Sequence, residues 1–270
     1  GTPYLCRVLS ENGNNDIAYT LLLNKDYPSW LYAVTMGATT IWERWNSVLP
    51  DGKISGTDMN SLNHYAYGSI AEWMYRNVAG INPVEDQPGF RQVRLAPQPD
   101  YRLKYANASL VSAAGLYESK WELKEDGQLT FIFGIPFNTT ANVELPDAKL
   151  DNVWMNGSSL KKAGMNATQI GEKVFVSLNS GTWEISYTPE IDYIKYCNTH
   201  MPFSDLLGNE EARSVLEETL PQAAAFPQEM IEKVGHQSLR ELSHMPFLPI
   251  CSEDLDELDV KLKKIKVAIQ

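Results

Sequence analysis

The hydrophobic period changes twice along this chain of 270 residues, and that change constrains the fold more than any other feature. Up to about residue 82, apolar residues recur at helical spacing. From about 83 to 189 they alternate with polar ones, the period of a half-buried strand. From about 190 to 270 the helical spacing returns. The pattern predicts helices over 1–82, an antiparallel β-sandwich over 83–189, and a small helical C-terminal extension over 190–270.

Local signals refine this division. In "TPYLCRVLSENG", Thr2 is expected as N-cap, Pro3 as the first helical residue, and Gly13 just past the end. "NDIAYTLLLNKD" predicts a second helix that stops before Tyr27-Pro28. "SLNHYAYGSIAEWMYRNVAG" predicts a longer one, with Ile70, Trp73, Met74 and Val78 near helical spacing and Gly80 as its end. In the middle region, Asp126-Gly127 and Asn179-Ser180-Gly181 are expected as hairpin turns. In the last region, Asn209 is an expected N-cap with Glu210 and Glu211 in the first turn, and Ser238 with Glu241 fits a capping box. Leu255, Leu258, Leu262, Ile265 and Ile269 form an amphipathic stripe, expected to pack on the sandwich or on a neighbouring domain.

A formal net charge of −11 makes nucleic acid and anionic membranes poor partners. No apolar run approaches the ~20 residues that cross a bilayer. Cys6, Cys197 and Cys251 are far apart and without metal-ligand spacing, so three buried thiols are expected. The start, "GTPYL", reads as the interior of something longer.

The segment Gly37–Asn60 is rich in loop-forming residues and holds "MGATTIWERWN". There Glu43 stands between Trp42 and Trp45, with Arg44 beside it. Indole rings stack on the flat C–H faces of sugars, and carboxylates, His and Arg bind the hydroxyl edges. Aromatic walls also strip water from a carboxyl, a setting suited to acid–base chemistry. The plain structural alternative is that Glu43 pairs with Arg44 or a helix end while the tryptophans fill core. His64, in "NSLNHYAYG", sits at the predicted start of the long helix. If the loop folds back, His64 and Glu43 could hold one water or one sugar hydroxyl.

These residues carry a resemblance. "SENGNNDIAYTLLLNKDYPSWLYAVTMGATTIWERWNS" and "MNSLNHYAYGSIAEWMYR" closely resemble the bacterial α-L-rhamnosidases of glycoside hydrolase family 78. "QPGFRQVRLAPQP" and "YANASLVSAAGLYESKWE" continue the likeness less sharply. The resemblance implies the last helices of an (α/α)6 barrel followed by a β-sandwich. It also implies inverting hydrolysis of terminal α-L-rhamnose, with neither metal nor cofactor. On the same footing Glu43 is the general base, His64 contacts the sugar, and Trp42 and Trp45 shape the pocket. The implied partner is a rhamnose-containing glycoside or oligosaccharide. Inversion needs two carboxyl groups roughly 6.5–9.5 Å apart. In the family the acid lies upstream, on a segment that this chain does not contain, so the chain alone is expected to be inactive.

Two other readings come from different features. Trp121, Trp154 and Trp183 in the alternating region could form a carbohydrate-binding platform without catalysis, provided that the three rings are exposed and coplanar. Alternatively the chain is a structural piece whose uncovered helices are stabilised in a homodimer.

Overall fold

The computed structural model describes residues 1–56, 58–245, 248 and 250–267. These form two compact units, Gly1–Tyr193 and Ile194–Gln270.

The first unit opens with α1 (Thr2–Glu11) and α2 (Asn15–Leu23), joined by a tight turn in which Gly13 takes φ +79°. Thr2 is the first helical residue and Gly1 the cap, one position earlier than expected. A short α3 (Trp30–Thr35) follows, capped by the Ser29 hydroxyl, which accepts from Tyr32 N. The next helix is later and less regular than its sequence suggests. It runs as a 3-10 turn (Ala66–Ser69), α4 (Ile70–Trp73) and a π turn (Met74–Val78). Residues 61–63 stay out of it because Ser61 bonds locally: its hydroxyl accepts from Asn63 N at 3.1 Å. Of the four apolar residues at helical spacing, Trp73 and Val78 are buried. Trp73 packs edge-on to Tyr19 of α2, with centroids 5.2 Å apart, and donates Nε1 to Ser10 of α1 at 2.8 Å. One indole thus ties three helices together.

Nine strands follow among the described residues, in one mostly antiparallel sheet: β1 (Ile81–Pro83), β2 (Gln92–Leu95), β3 (Tyr105–Ser112), β4 (Gly115–Leu123), β5 (Leu129–Leu145), β6 (Trp154–Met155), β7 (Ser158–Ser159), β8 (Ala167–Ile170) and β9 (Lys173–Tyr187). β2 and β5 are parallel, a departure from the all-antiparallel expectation. Long β5 and β9 pair along nearly their whole length and organise the rest. Alternation is strict: Leu129, Phe131, Phe133 and Ile135 are buried while their neighbours are not.

The Asp126-Gly127 turn forms as expected, with Gly127 at φ +85° between β4 and β5. The second expected turn does not form. Asn179, Ser180 and Gly181 lie within continuous β9, opposite a bulge in β5. Ile135 pairs with Gly181 and Thr140 with Asn179, so residues 136–139 bulge opposite Ser180. Gly181, at φ +139°, supplies a bend in the strand rather than a reversal.

The helices meet the sheet at Gly80. The carbonyl of Arg76 accepts from Asn82 Nδ2, that of Asn77 from Gln98 N, that of Val78 from Trp121 Nε1, that of Ala79 from the Ser119 hydroxyl, and that of Gly80 from Ala96 N. Helix ends leave such carbonyls without intrahelical partners; here the sheet supplies them. Buried Trp121 therefore belongs to this junction, while Trp154 is exposed and Trp183 partly so. The three indoles do not form a common exposed platform.

The second unit holds α5 (Phe203–Gly208), α6 (Glu210–Thr219), α7 (Pro221–Ala224), α8 (Gln228–Val234), α9 (Leu239–Leu242) and α10 (Ser252–Leu262). Asn209 caps α6 by accepting from Ala212 N, and Ser238 with Glu241 closes the expected capping box on α9. Leu255, Leu258, Leu262 and Ile265 are buried in this unit's own core beside Phe203, Leu216 and Leu242. The stripe thus finds cover within its own unit; Ile269 lies outside the described residues. Cys6 and Cys197 are buried, but Cys251 is exposed, its sulfur accepting from Asp254 N at the start of α10.

Gly80 and Gly157 share φ +77°, yet a Cβ at Gly80 would lie 2.1 Å from Pro97 N while one at Gly157 meets open space. Gly157→Ala is expected to cost about 1 kcal/mol for the left-handed backbone. Gly80→Ala adds a backbone clash and is expected to cost about 3 kcal/mol or more. Urea denaturation of the two variants checks this; equal losses would contradict the role given to the junction.

Candidate active site

The segment between α3 and the Ala66–Ser69 turn folds back on itself. Glu43 N donates to Ser61 O at 2.8 Å, His64 N donates to Ile41 O at 2.8 Å, and the Thr40 hydroxyl donates to Leu62 O. Residues 40–43 and 61–64 are thereby held side by side. Glu43 and His64, twenty-one positions apart in the chain, lie on these two facing segments, Glu43 opposite Ser61 and His64 opposite Ile41. The hypothetical folding back on which their encounter depended is present in the backbone.

The Glu43 carboxylate accepts from Ser61 N at 2.7 Å through Oε2, and the side chain is partly exposed. Arg44 does not serve it: Arg44 Nη2 donates to Asp58 O at 3.2 Å and its backbone N–H to the Ser47 hydroxyl. Ser47 is fully buried, and its carbonyl takes the Asn60 amide at 3.2 Å. The loop is therefore ordered by its own polar groups. His64, also partly exposed, accepts from Ala66 N at 3.2 Å through Nδ1 and stacks on Tyr65, with centroids 5.1 Å apart and planes 11° apart. With Nδ1 accepting, the neutral ring carries its proton on Nε2, which is left as a donor.

The two tryptophans flanking Glu43, separated by a bend at residues 43–44, pack against different partners. Trp42 is buried with Tyr32 and Val48. Trp45 packs edge-on to Trp30 at 4.9 Å and against Tyr67 at 5.6 Å. Trp30, Trp42, Trp45 and Tyr67 line a mostly apolar cavity of about 300 Å³; Glu43 and His64 lie outside its lining. Trp30 Nε1 donates to Tyr67 O at 3.0 Å. Trp45 Nε1, Asn60 Oδ1 and Ser69 Oγ are buried with no hydrogen-bond partner among the described residues. Such groups are rare in folded proteins, and these three all lie in or beside this loop. No periodicity in the sequence could have singled out Trp30, Tyr67 or the unpaired Trp45 nitrogen.

Residues 1–78 match the bacterial alpha-L-rhamnosidase 6 hairpin glycosidase domain, and residues 80–158 match the bacterial alpha-L-rhamnosidase C-terminal domain. An alpha-L-rhamnosidase of Formosa agariphila is 45% identical over 167 residues, covering 60% of this chain and 18% of that protein. One of Streptomyces avermitilis is 44% identical over 153 residues, covering 57% and 15%. The crystal structure of the Streptomyces avermitilis alpha-L-rhamnosidase complexed with L-rhamnose superposes with a TM-score of 0.61 at 37% identity, over 69% of this chain and 17% of that one. That of Dictyoglumus thermophilum gives 0.60 at 30% identity, over 69% and 20%. The chain spans less than a fifth of the length of these curated relatives.

The matches define the class first: glycoside hydrolases with a six-hairpin catalytic domain. Within that class the chain belongs, over residues 1–158, to the bacterial α-L-rhamnosidases and corresponds to their C-terminal part. The second unit, Ile194–Gln270, lies beyond both matched domains.

Trp30→Phe removes a hydrogen bond to Tyr67, whereas Trp45→Phe removes a donor that has no partner among the described residues. Trp30→Phe is expected to destabilise the protein by about 1 kcal/mol more than Trp45→Phe. Thermal unfolding of the two variants measures this, and an equal loss would show that Trp45 Nε1 is satisfied in solution.

Proposed function

We propose that this chain supplies the base side of the active site of an inverting α-L-rhamnosidase, the enzyme acting on terminal α-L-rhamnose of rhamnosides. In this reading residues 1–82 are the last helices of an (α/α)6 barrel, 83–189 a β-sandwich, and 190–270 a helical extension. The observation that supports it is the backbone pairing of residues 40–43 with 61–64, which sets the segments carrying Glu43 and His64 beside each other.

Glu43 is the general base. Its Oε2 is anchored by Ser61 N, which leaves Oε1 to take a proton from the attacking water. His64 presents Nε2–H to a sugar oxygen, oriented by Ala66 N on the other ring nitrogen. Trp45, braced by Trp30 and Tyr67, and Trp42, packed on Tyr32, hold the loop that positions the base. Water attacks the anomeric carbon on one face while the C–O bond to the aglycone breaks on the other. A second carboxyl must protonate the departing oxygen, roughly 6.5–9.5 Å from the base. By the family resemblance that acid stands upstream of residue 1.

The Streptomyces avermitilis structure carries L-rhamnose, which supports a rhamnoside as the substrate class here. Residues 1–270 alone are expected to give no turnover of an aryl α-L-rhamnoside. In the complete enzyme Glu43→Gln should lower kcat by about 10²–10⁴-fold, the usual worth of a positioned base, with the melting temperature unchanged. Activity within a factor of about two of wild type would remove Glu43 from this role.

A further inference from the structure

A polar groove in the first unit has no part in the reading above. One cavity of about 640 Å³ lies among α1, the Met74–Val78 turn and the first strands; a second, of about 530 Å³, lies over β2, β5, β8 and β9. They share Pro83, Glu85 and Arg94 and so form one elongated depression. No residue between 37 and 67 lines either part.

The groove gathers cations although the net charge of the chain is −11: Arg7, Arg76, Arg94 and Lys173 line its first part, beside Glu11 and Glu85, with Glu144 in its second part and Glu72 paired to Arg76. Two of these cations are committed: Arg94 grips Glu144 through Nε and Nη2, and Lys173 Nζ is 3.5 Å from the same carboxylate. The other two are each paired through one edge only: Arg7 Nε meets Glu11 at 2.8 Å and Arg76 Nε meets Glu72 at 2.7 Å. That leaves both Nη1/Nη2 edges, the fork that matches a carboxylate or a sulfate, without a partner among the described residues. The second cavity has a different character. Asn142, Asn166 and Thr168 offer amide and hydroxyl groups, and partly exposed Phe175 offers a ring face. These are groups that bind sugar hydroxyls and stack on sugar C–H faces.

We propose that this groove binds an acidic oligosaccharide, with a carboxylate or sulfate ester held by Arg7 and Arg76 and neutral sugar residues running past Arg94 to Phe175. The proposal rests on the glycosidase reading only in expecting a glycan; it needs neither Glu43 nor rhamnose.

Calorimetric titration of residues 1–270 with hexagalacturonate, sulfated isomaltohexaose and maltohexaose tests it, since none of these contains rhamnose. At least one anionic probe should bind tenfold or more tightly than maltohexaose, roughly one charge-assisted bidentate contact. The preferred probe tells carboxylate from sulfate. Excess L-rhamnose should not compete, so binding would survive even if the rhamnosidase reading failed. Arg7→Ala with Arg76→Ala should weaken the anionic probe by roughly tenfold or more and leave any binding of maltohexaose unchanged. Should that variant unfold, Arg7→Lys with Arg76→Lys keeps the charges and removes the forks, and should still weaken the anionic probe about threefold or more. Equal affinity for all three probes, no binding of either anionic one, or binding unaltered in a folded variant would overturn the proposal.

Discussion

Five successive carbonyls, from Arg76 to Gly80, find hydrogen-bond donors in and beside the sheet, and the arrangement of the first unit depends on this junction. A helix that ends in the interior leaves polar groups that water cannot reach, and each unmet one costs about 1–3 kcal/mol. Trp121 and Ser119 of β4 meet two of them from the buried side of the sheet. Gly80 then turns the chain at φ +77° with Pro97 backbone in the space that a side chain would need. The helix can therefore stop at only one place and leave in only one direction.

That placement reaches the candidate site. The helical stretch Ala66–Val78 is fixed by the sheet at its far end and by the paired loop segments at its near end. Its Tyr67 carbonyl receives Trp30 Nε1, and the Tyr67 ring meets Trp45, so the loop holding Glu43 is braced from the same helix. Packing, backbone pairing and a few side-chain hydrogen bonds thus set the position of one carboxylate and one imidazole. The change from 3-10 through α to π geometry within thirteen residues shows where the competing demands of the two ends are absorbed.

What was legible in the sequence is what is decided locally. Asn209 before two glutamates, Ser238 with Glu241, and the Asp126-Gly127 turn each read correctly, because a cap or a tight turn needs only its own few residues. Gly181 misled because a glycine that bends a strand opposite a bulge looks the same as one that reverses it; only the partner strand distinguishes them. The α10 stripe was visible, but its partner was not, since Phe203 and Leu242 lie in helices too short to announce a core of their own. The junction was illegible for the same reason: Trp121 and Ser119 reach carbonyls 43 and 40 residues away. At the candidate site, the motifs single out Glu43, His64 and both tryptophans for test, while Trp30, Tyr67 and the Trp45 nitrogen, unpaired among the described residues, emerge only with the fold.

The proposal that Glu43 activates water has a chemical signature that separates a base from a residue merely needed for folding. In a complete enzyme carrying Glu43→Ala, azide can replace water, because it is a nucleophile that needs no deprotonation. Azide would attack the anomeric carbon as the aryl oxygen leaves and takes its proton from the remaining acid. The account predicts that azide restores turnover of an aryl α-L-rhamnoside and that proton NMR identifies the product as the β-L-rhamnosyl azide. Failure of azide to rescue a folded variant, or an α-configured product, would contradict it.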